Sequence, residues 1–386
     1  MWRHIAANGI TFLIVALFLV AGVVVWGSQE YKSPGPLAAG ICLQVAPGSN
    51  MRVVSAELAD KGAVSNAALF RIGADYAEKA DQLKAGSFLV PEGASMAQIV
   101  DLVTASGQST CGTEVVYRVG VRLNVAEVRD LDPATGTYAE VAAFDPAADA
   151  APAEYVAVKA QADTRYRLAV AEGTTSWQVA EALRQIDVLE GEIAETPAEG
   201  SLAPNSYEFA PGADRAAIIA QMQAAQTQIL ADAWAARVDG LPVETPEEAL
   251  ILASLIEKET ALAAERRQVA SVFVNRMERG MRLQTDPAVI YGVTEGEGIL
   301  DRGLRRSELD TPTPWNTYVI PGLPPTPIAN PGQASIEAAL NPDTTDYVFF
   351  VADGSGGHAF ATNLDDHNRN VAAWRVIEAE QAAAQE

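Results

Sequence analysis

Apolar and polar residues follow several different patterns along this 386-residue chain. The first pattern is an uncharged run from Ile5 to Ser28, which ends before the first acidic residue, Glu30. Roughly two dozen residues of helix can cross a hydrocarbon core of ~30 Å. We therefore predict a transmembrane anchor over residues 1–28, followed by a Pro- and Gly-containing linker over residues 29–39.

The charges around this run predict its orientation. Arg3 and the N-terminal amine precede it, so we expect a cytoplasmic N-terminus, with everything after Ser28 on the outside of that membrane. The alternative is a cleaved signal peptide, because Val25-Trp26-Gly27 faintly suits a peptidase. The apolar core is long for a signal peptide, and we favour the anchor.

The second pattern is a fourfold repeat of a strand, a turn at glycine and an amphipathic helix. The four turns are at Gly48, Gly93, Gly173 and Gly212. Apolar residues stand six and ten positions after each glycine: Val54 and Leu58, Ile99 and Val103, Val179 and Leu183, Ile218 and Met222. Residues four apart share one helix face, so each helix should bury its pair. Pairing the copies predicts two strand–helix–strand–helix units, within residues 40–109 and 164–225.

Residues 110–163 separate the two units. They contain the apolar run from Val115 to Val119 and then a stretch rich in Pro, Ala and Asp that reaches Pro152. We predict β-structure and a mobile loop here. No chemistry is visible in this segment, which reads as a tolerated insertion.

Residues 226–386 follow a different pattern of apolar and polar positions. We predict an apolar helix from Pro246 to Ala264 and a second helix from Ala264 to Arg279, which Gly280 stops. The later elements are a helix start at Thr285-Asp286-Pro287, a Pro-rich polar loop over 311–325, a helix after Asn330-Pro331, a hairpin over 347–361 and a last helix from Leu364.

Composition limits the classes of function. The net charge of −23 argues against nucleic acid or an anionic bilayer surface as the main partner, and suits binding of a neutral polymer. Three histidines, two cysteines and the lack of a His-Glu-x-x-His motif predict no metal site and no cofactor. Cys42 and Cys111 fit an oxidising compartment, where we favour a disulfide over two free thiols.

The first predicted helix of the C-terminal part carries the candidate catalytic group. A carboxyl group in an apolar setting retains its proton, and a general acid needs that proton at neutral pH. Glu257 is our candidate for that acid, with ordinary solvated side chains as the alternative, although the pattern by itself does not decide between Glu257 and Glu259. Residues two apart point about 160° from each other, so the two cannot act as a facing pair. Glu259 could instead order the helix or pair with Arg266.

Several motifs in this part resemble one family, the MltG (YceG-like) endolytic murein transglycosylases. They are Leu252-Ala253-Ser254-Leu255-Ile256-Glu257-Lys258-Glu259-Thr260, Val274-Asn275-Arg276, Leu283-Gln284-Thr285-Asp286-Pro287, Asn316-Thr317-Tyr318, Gly322-Leu323-Pro324-Pro325 and Phe349-Phe350-Val351-Ala352-Asp353-Gly354 with Gly357-His358-Ala359-Phe360. The resemblance implies an α+β chain with an N-terminal transmembrane helix, two LysM-like β/α units and a mixed α/β YceG-like catalytic domain over 226–386. Trp315, where the family more often has Tyr, and the long 110–163 segment depart from the pattern.

By that resemblance Glu257 is the catalytic residue, and we expect Gln284, Asn316 and Tyr318 to hold sugars. The implied reaction cuts the MurNAc–GlcNAc bond of nascent peptidoglycan strands and leaves 1,6-anhydro-MurNAc ends. The implied location is the inner membrane, with the bulk of the chain in the periplasm and peptidoglycan synthases as partners. Two alternatives remain: a hydrolytic muramidase with Asp286 as second carboxylate, and a non-catalytic LysM-type wall-binding scaffold.

Overall fold

A computed structural model describes residues 2–105, 109–161 and 163–385 of the chain. These residues form a mixture of helices and strands, which confirms the α+β class. Two compact units are present. The first contains Met1–Val115, Glu127–Ala143 and Ala151–Tyr166, and the second contains Val116–Ala126, Phe144–Ala150 and Arg167–Glu386.

The first helix, α1 (Trp2–Lys32), is longer than the predicted anchor. Its stretch Thr11–Lys32 is long and apolar enough to cross a membrane. The helix continues past Ser28 because no residue before Pro34 interrupts its hydrogen bonding. The predicted linker is therefore helical up to Lys32. The chain after it is also packed on the first unit, since the Gly35 N–H donates to Gly93 O over 3.0 Å.

The first unit contains the first pair of repeats. Its elements are β1 (Ile41–Val45), α2 (Met51–Asp60), α3 (Ala67–Tyr76), β2 (Gly86–Val90) and α4 (Met96–Thr104). The two strands are antiparallel, with Ile41 opposite Val90 and Val45 opposite Gly86. Helix α3 was not predicted, because the sequence repeat does not include it. A disulfide joins Cys42 to Cys111 with a Cα–Cα distance of 5.6 Å, which confirms the predicted bridge.

The repeated turn has one geometry in all four copies. The turn glycines have φ values of +79°, +64°, +79° and +79°, a region that favours glycine. Each following helix has an N-cap side chain that accepts a backbone N–H: Asn50, Ser95, Thr175 and Asp214. All eight apolar residues predicted to point inward are at most 5% exposed. The periodicity therefore identified the buried face of each helix.

The segment between the repeats joins a larger sheet. Its elements are β3 (Thr113–Val119), β4 (Asn124–Asp132), β5 (Thr137–Phe144) and α5 (Ala153–Lys159). The second pair of repeats follows as β6 (Arg165–Val170), α6 (Ser176–Gln185), β7 (Ser206–Phe209) and α7 (Arg215–Ala235). The sheet has the order β5-β4-β3-β6-β7. The predicted β-structure is present, but its strands share a sheet with the second repeat pair instead of forming a separate insertion.

Helix α8 (Pro246–Glu259) contributes to the buried core of the C-terminal part, and the remaining elements follow it in the chain. They are α9 (Arg266–Glu278), α10 (Asp286–Thr294), α11 (Arg306–Asp310), α12 (Gln333–Leu340), β8 (Phe349–Ala352), β9 (His358–Ala361) and α13 (Leu364–Gln385). Helix α8 begins at Pro246, where the Thr245 side chain caps it by accepting from the Glu248 N–H. It ends at Glu259, earlier than predicted, because Thr260 is extended.

Candidate active site

The last turn of α8 brings two glutamates to the edge of the core. Leu252, Leu255 and Ile256 are completely buried and hold the helix against α9 and α12. Glu257 and Glu259 follow them and are half-buried. Because they are two residues apart, they enter different surroundings.

Glu257 forms a hydrogen bond at the start of α12. Its Oε2 accepts the Gly332 backbone N–H over 2.9 Å, at the N-terminal end of that helix. Glu172 approaches the same glycine, so closely that a Cβ on Gly332 would overlap its carboxyl group. Burial, and then the charge of Glu257, raise the pKa of Glu172. Arg266 approaches Glu172 to 4.0 Å and does not form the predicted pair with Glu259.

Glu259 has the electrostatic character predicted for Glu257. Burial, with a smaller contribution from the neighbouring Asp286 charge, raises its pKa from an ordinary value of 4.5 to about 7. His358 and Arg276 partly oppose this shift. The buried Thr285 hydroxyl also lowers the pKa, although it completes no hydrogen bond of ordinary geometry. A carboxyl group with such a pKa can give and take a proton at neutral pH.

An open cavity of about 460 Å³ lies beside Glu259. His358 and Trp374 also line it, together with glycines of the β8–β9 turn. Glu265 fixes the position of His358 by two contacts. Its Oε2 is 2.8 Å from Nδ1 of the imidazole, and its Oε1 accepts the His358 backbone N–H over 3.0 Å. The site therefore combines a proton-exchanging carboxyl group with an aromatic wall.

Two of the residues predicted to hold sugars lie in the loops next to Glu259. The Tyr318 hydroxyl donates to Asp286 Oδ1 over 2.7 Å, and burial raises the pKa of Tyr318, with the charge of Glu259 contributing. Gln284 is exposed and has a φ of +50°, a strained conformation for a residue other than glycine. Such strain occurs often at functional sites, and here it sits one residue before Thr285.

Asn316 has a different environment. Its side chain is 0% exposed. The amide nitrogen donates to the carbonyl oxygens of Glu308, Leu309 and Thr311, and the amide oxygen accepts the Tyr318 N–H. In this conformation the amide organises the loop that carries Tyr318, and it presents no exposed polar atom to a sugar.

Metal chemistry has no apparent ligands here. Within the described parts of the chain, no group of three or more His, Cys, Asp or Glu side chains could hold a metal ion. Acid–base chemistry at Glu259 needs no such ion.

Comparison with known proteins identifies the family. The model of the YceG-like family matches residues 135–373, which is more than half of the chain. The chain belongs to the YceG-like family. The matched region includes α8 and both glutamates, so the resemblance seen in the motifs extends across the candidate site of this YceG-like chain.

Two relatives of this YceG-like chain are endolytic murein transglycosylases. The protein of Bacillus subtilis (strain 168) is 39% identical over 173 residues, which cover 45% of this chain and 47% of that protein. The protein of Streptococcus pneumoniae serotype 2 (strain D39) is 29% identical over 380 residues, covering 96% of this chain and 65% of that protein. The matches thus span about half to two thirds of these relatives. A crystal structure of a yceG-like protein from Listeria monocytogenes is 25% identical and covers 86% of this chain and 98% of that one, with a TM-score of 0.45.

Proposed function

We propose that this YceG-like chain is a membrane-anchored endolytic lytic transglycosylase of peptidoglycan, with Glu259 as its acid and base. The observation that carries the proposal is the carboxyl group of Glu259, whose pKa of about 7 combines with a position in an open cavity. The names of the relatives support the same activity, since both are endolytic murein transglycosylases.

The chemistry needs one carboxyl group. Protonated Glu259 gives its proton to the oxygen between MurNAc and GlcNAc, and the C1–O bond breaks through an oxocarbenium-like transition state. The C6 hydroxyl of the same muramyl residue then attacks C1, and ionised Glu259 removes its proton. The product is a 1,6-anhydro end, and Glu259 is protonated again. The internal hydroxyl takes the place of the water and second carboxylate that a hydrolase uses.

Glu259 replaces Glu257 in this mechanism because the two differ in their partners. Glu257 accepts the Gly332 N–H at the start of α12, which gives it a structural task. Glu259 lines the cavity and interacts with Asp286 and His358. Tyr318 and Gln284 are our proposed sugar contacts, because both lie in the loops beside Glu259. Asn316 would act indirectly, by fixing the backbone at Tyr318.

Matched variants test the assignment. In digests of purified sacculi by the full-length protein, we expect Glu259→Gln to lower the rate of strand cleavage by about 10²–10⁴-fold. Glu257→Gln should retain activity within about tenfold, because an amide oxygen can still accept from Gly332. If Glu257→Gln abolished cleavage and Glu259→Gln did not, the assignment from the family motif would be right. Absence of cleavage by the wild-type protein would favour a non-catalytic scaffold, and unchanged cleavage in both variants would exclude these two glutamates as the acid.

A hydrolytic muramidase is the second candidate, because Asp286 interacts electrostatically with Glu259 and could activate water. Mass spectrometry of the digested strands distinguishes the two reactions. Transglycosylation predicts 1,6-anhydro-MurNAc ends, which should persist in the Asp286→Asn variant. Reducing ends without anhydro sugar would establish hydrolysis instead.

We further propose that α1 anchors the chain in the inner membrane, with the N-terminus in the cytoplasm and both compact units in the periplasm. Such an anchor confines the cavity to glycan near the bilayer, where new strands are made, so cleavage would terminate strand elongation. Peptidoglycan synthases are the expected partners, and the LysM-like repeats would contribute to glycan binding. Absence of any synthase in pull-downs from cross-linked membranes would contradict the partner proposal.

A further inference from the structure

The end of α1 is packed on α3 of the first unit. A Cβ on Gly27 would lie 3.4 Å from Leu69 Cδ1, and a Cβ on Gly73 would overlap the Tyr31 ring. Glu30 accepts a hydrogen bond of 2.6 Å from the Ser65 hydroxyl. These contacts fall where the uncharged run of α1 ends. Helix α3 therefore lies at the level at which α1 would leave a bilayer.

The order of these contacts gives the direction of α3. Leu69, in the middle of the contact, meets Gly27, which is the last residue but one of the uncharged run. Ser65 and Gly73, four residues to either side of Leu69, meet Glu30 and Tyr31, which are neighbours on α1. If α3 ran parallel to α1, successive residues of α3 would contact residues that move steadily in one direction along α1. The contacts of Ser65, which lies just before α3, and of Leu69 and Gly73 instead indicate that α3 crosses α1, in which case it would lie along the surface of a membrane that α1 spans.

One face of α3 is apolar and exposed. Leu69, Ile72 and Tyr76 share that face, at helical spacings of three and four residues. Ile72 is 64% exposed and Tyr76 is 92% exposed. Because Leu69 points from this face toward Gly27, the face is directed to the same side as the apolar part of α1.

The other side of α3 is turned to the protein. Phe70 and Ala74 are completely buried in the core of the first unit. Arg71 donates from Nη1 to the Ser55 hydroxyl of α2 over 2.9 Å. The core and α2 thus lie opposite the exposed apolar face, which has solvent in front of it in the described structure.

We propose that Ile72 and Tyr76 rest in the headgroup layer of the bilayer and hold the first unit flat on the membrane surface. Tyrosine suits this layer because its ring is apolar and its hydroxyl stays hydrated. The occupant is lipid because the face is continuous with the exit point of α1. The proposal rests on the membrane anchor proposed above.

Spin labels at single positions test the proposal in the full-length protein. Both native cysteines are in the disulfide, so a cysteine introduced at an exposed site can be labelled selectively. The test sites are Ile72→Cys and Tyr76→Cys. Val53→Cys on α2 is the matched control, because Val53 is also apolar and 54% exposed but lies on the α2 side. Leu19→Cys, 67% exposed in α1, reports on the anchor itself.

The protein is reconstituted in vesicles of phosphatidylethanolamine and phosphatidylglycerol, and collisions of each label with oxygen and with a water-soluble nickel complex are measured. We expect the oxygen-to-nickel ratio at residues 72 and 76 to exceed that at residue 53 several times over, with the highest ratio at residue 19. A lipid-like ratio at residue 19 with water-like ratios at residues 72 and 76 would overturn the proposal. That result would favour a protein partner on this face instead of lipid. A water-like value at residue 19 would refute the anchor.

Discussion

At the level of single residues, the two glutamates at the end of α8 differ in what surrounds them. One accepts a backbone N–H from Gly332, and the other lies beside Asp286 in a cavity. Both stand in the last turn of the same helix, only two positions apart. The sequence predicted Glu257 as the carboxyl group of this helix that holds its proton. The choice between them depended on which loops packed on each side of the helix.

The pKa of Glu259 predicts how activity depends on pH. As the general acid, Glu259 must be protonated in the free enzyme, so kcat/KM should fall as the pH rises through about 7. The measurement is a pH profile of sacculus cleavage over pH 5 to 9. A profile that stays flat across neutral pH would contradict Glu259 as the acid.

The same group predicts how stability depends on pH. The folded-state pKa of Glu259, about 7, lies above its unfolded value, so the folded state binds the proton more tightly. The stabilisation from this group is present below the unfolded pKa and is lost as the pH rises toward 7. We expect the Tm of the wild type to fall, relative to Glu259→Gln, between pH 5 and pH 8. Parallel Tm curves for the two proteins would show that the carboxyl group is not perturbed.

Tyr318 offers a test of the loop beside Glu259. Its hydroxyl donates to Asp286, and both groups interact with Glu259. Tyr318→Phe removes this hydrogen bond, and we expect kcat/KM to fall about tenfold while the free energy of unfolding changes by about 1 kcal/mol. Steady-state cleavage and urea unfolding measure the two effects. Full activity in Tyr318→Phe would show that the hydroxyl takes no part in the mechanism.

At the level of elements, the repeated turn is the feature that the sequence described best. Glycine at a positive φ, a capping side chain and two inward apolar residues together specify strand, turn and helix from short-range interactions alone. The structure has this arrangement at all four glycines. Helix α3 escaped prediction because it lies outside the repeat.

Gly48 tests the turn. Its φ is +79°, and a Cβ there would meet no atom within 4 Å, so Gly48→Ala tests backbone conformation without a clash. We expect Gly48→Ala to destabilise the first unit by about 1–2 kcal/mol. Gly48→Asn is the matched control and should destabilise the unit less, because Asn tolerates a positive φ better. Equal losses of unfolding free energy in urea would mean that backbone strain is not what selects glycine.

At the level of the whole molecule, the disulfide closes a long loop. Cys42 and Cys111 are 69 positions apart, and both belong to the first unit. Reducing this bridge should destabilise the first unit by about 2–4 kcal/mol, chiefly by restoring freedom to the unfolded chain. Urea unfolding with and without reductant measures the loss. The Cys42→Ser/Cys111→Ser double variant should be as unstable as the reduced wild type, and adding reductant should not change its stability. A change in this variant would reveal another effect of the reductant.

The sequence by itself determined the features that depend on neighbouring residues: the apolar N-terminal helix, the four strand–turn–helix repeats, the β8–β9 hairpin and the family motifs. Only the tertiary structure decided which glutamate enters the cavity, that Asn316 is enclosed by its own loop, and that β3 lies beside β6. Periodicity records which face of an element is buried, but it does not record what packs against that face. Burial and neighbouring charges set the pKa of Glu259, and these come from residues distant in the chain.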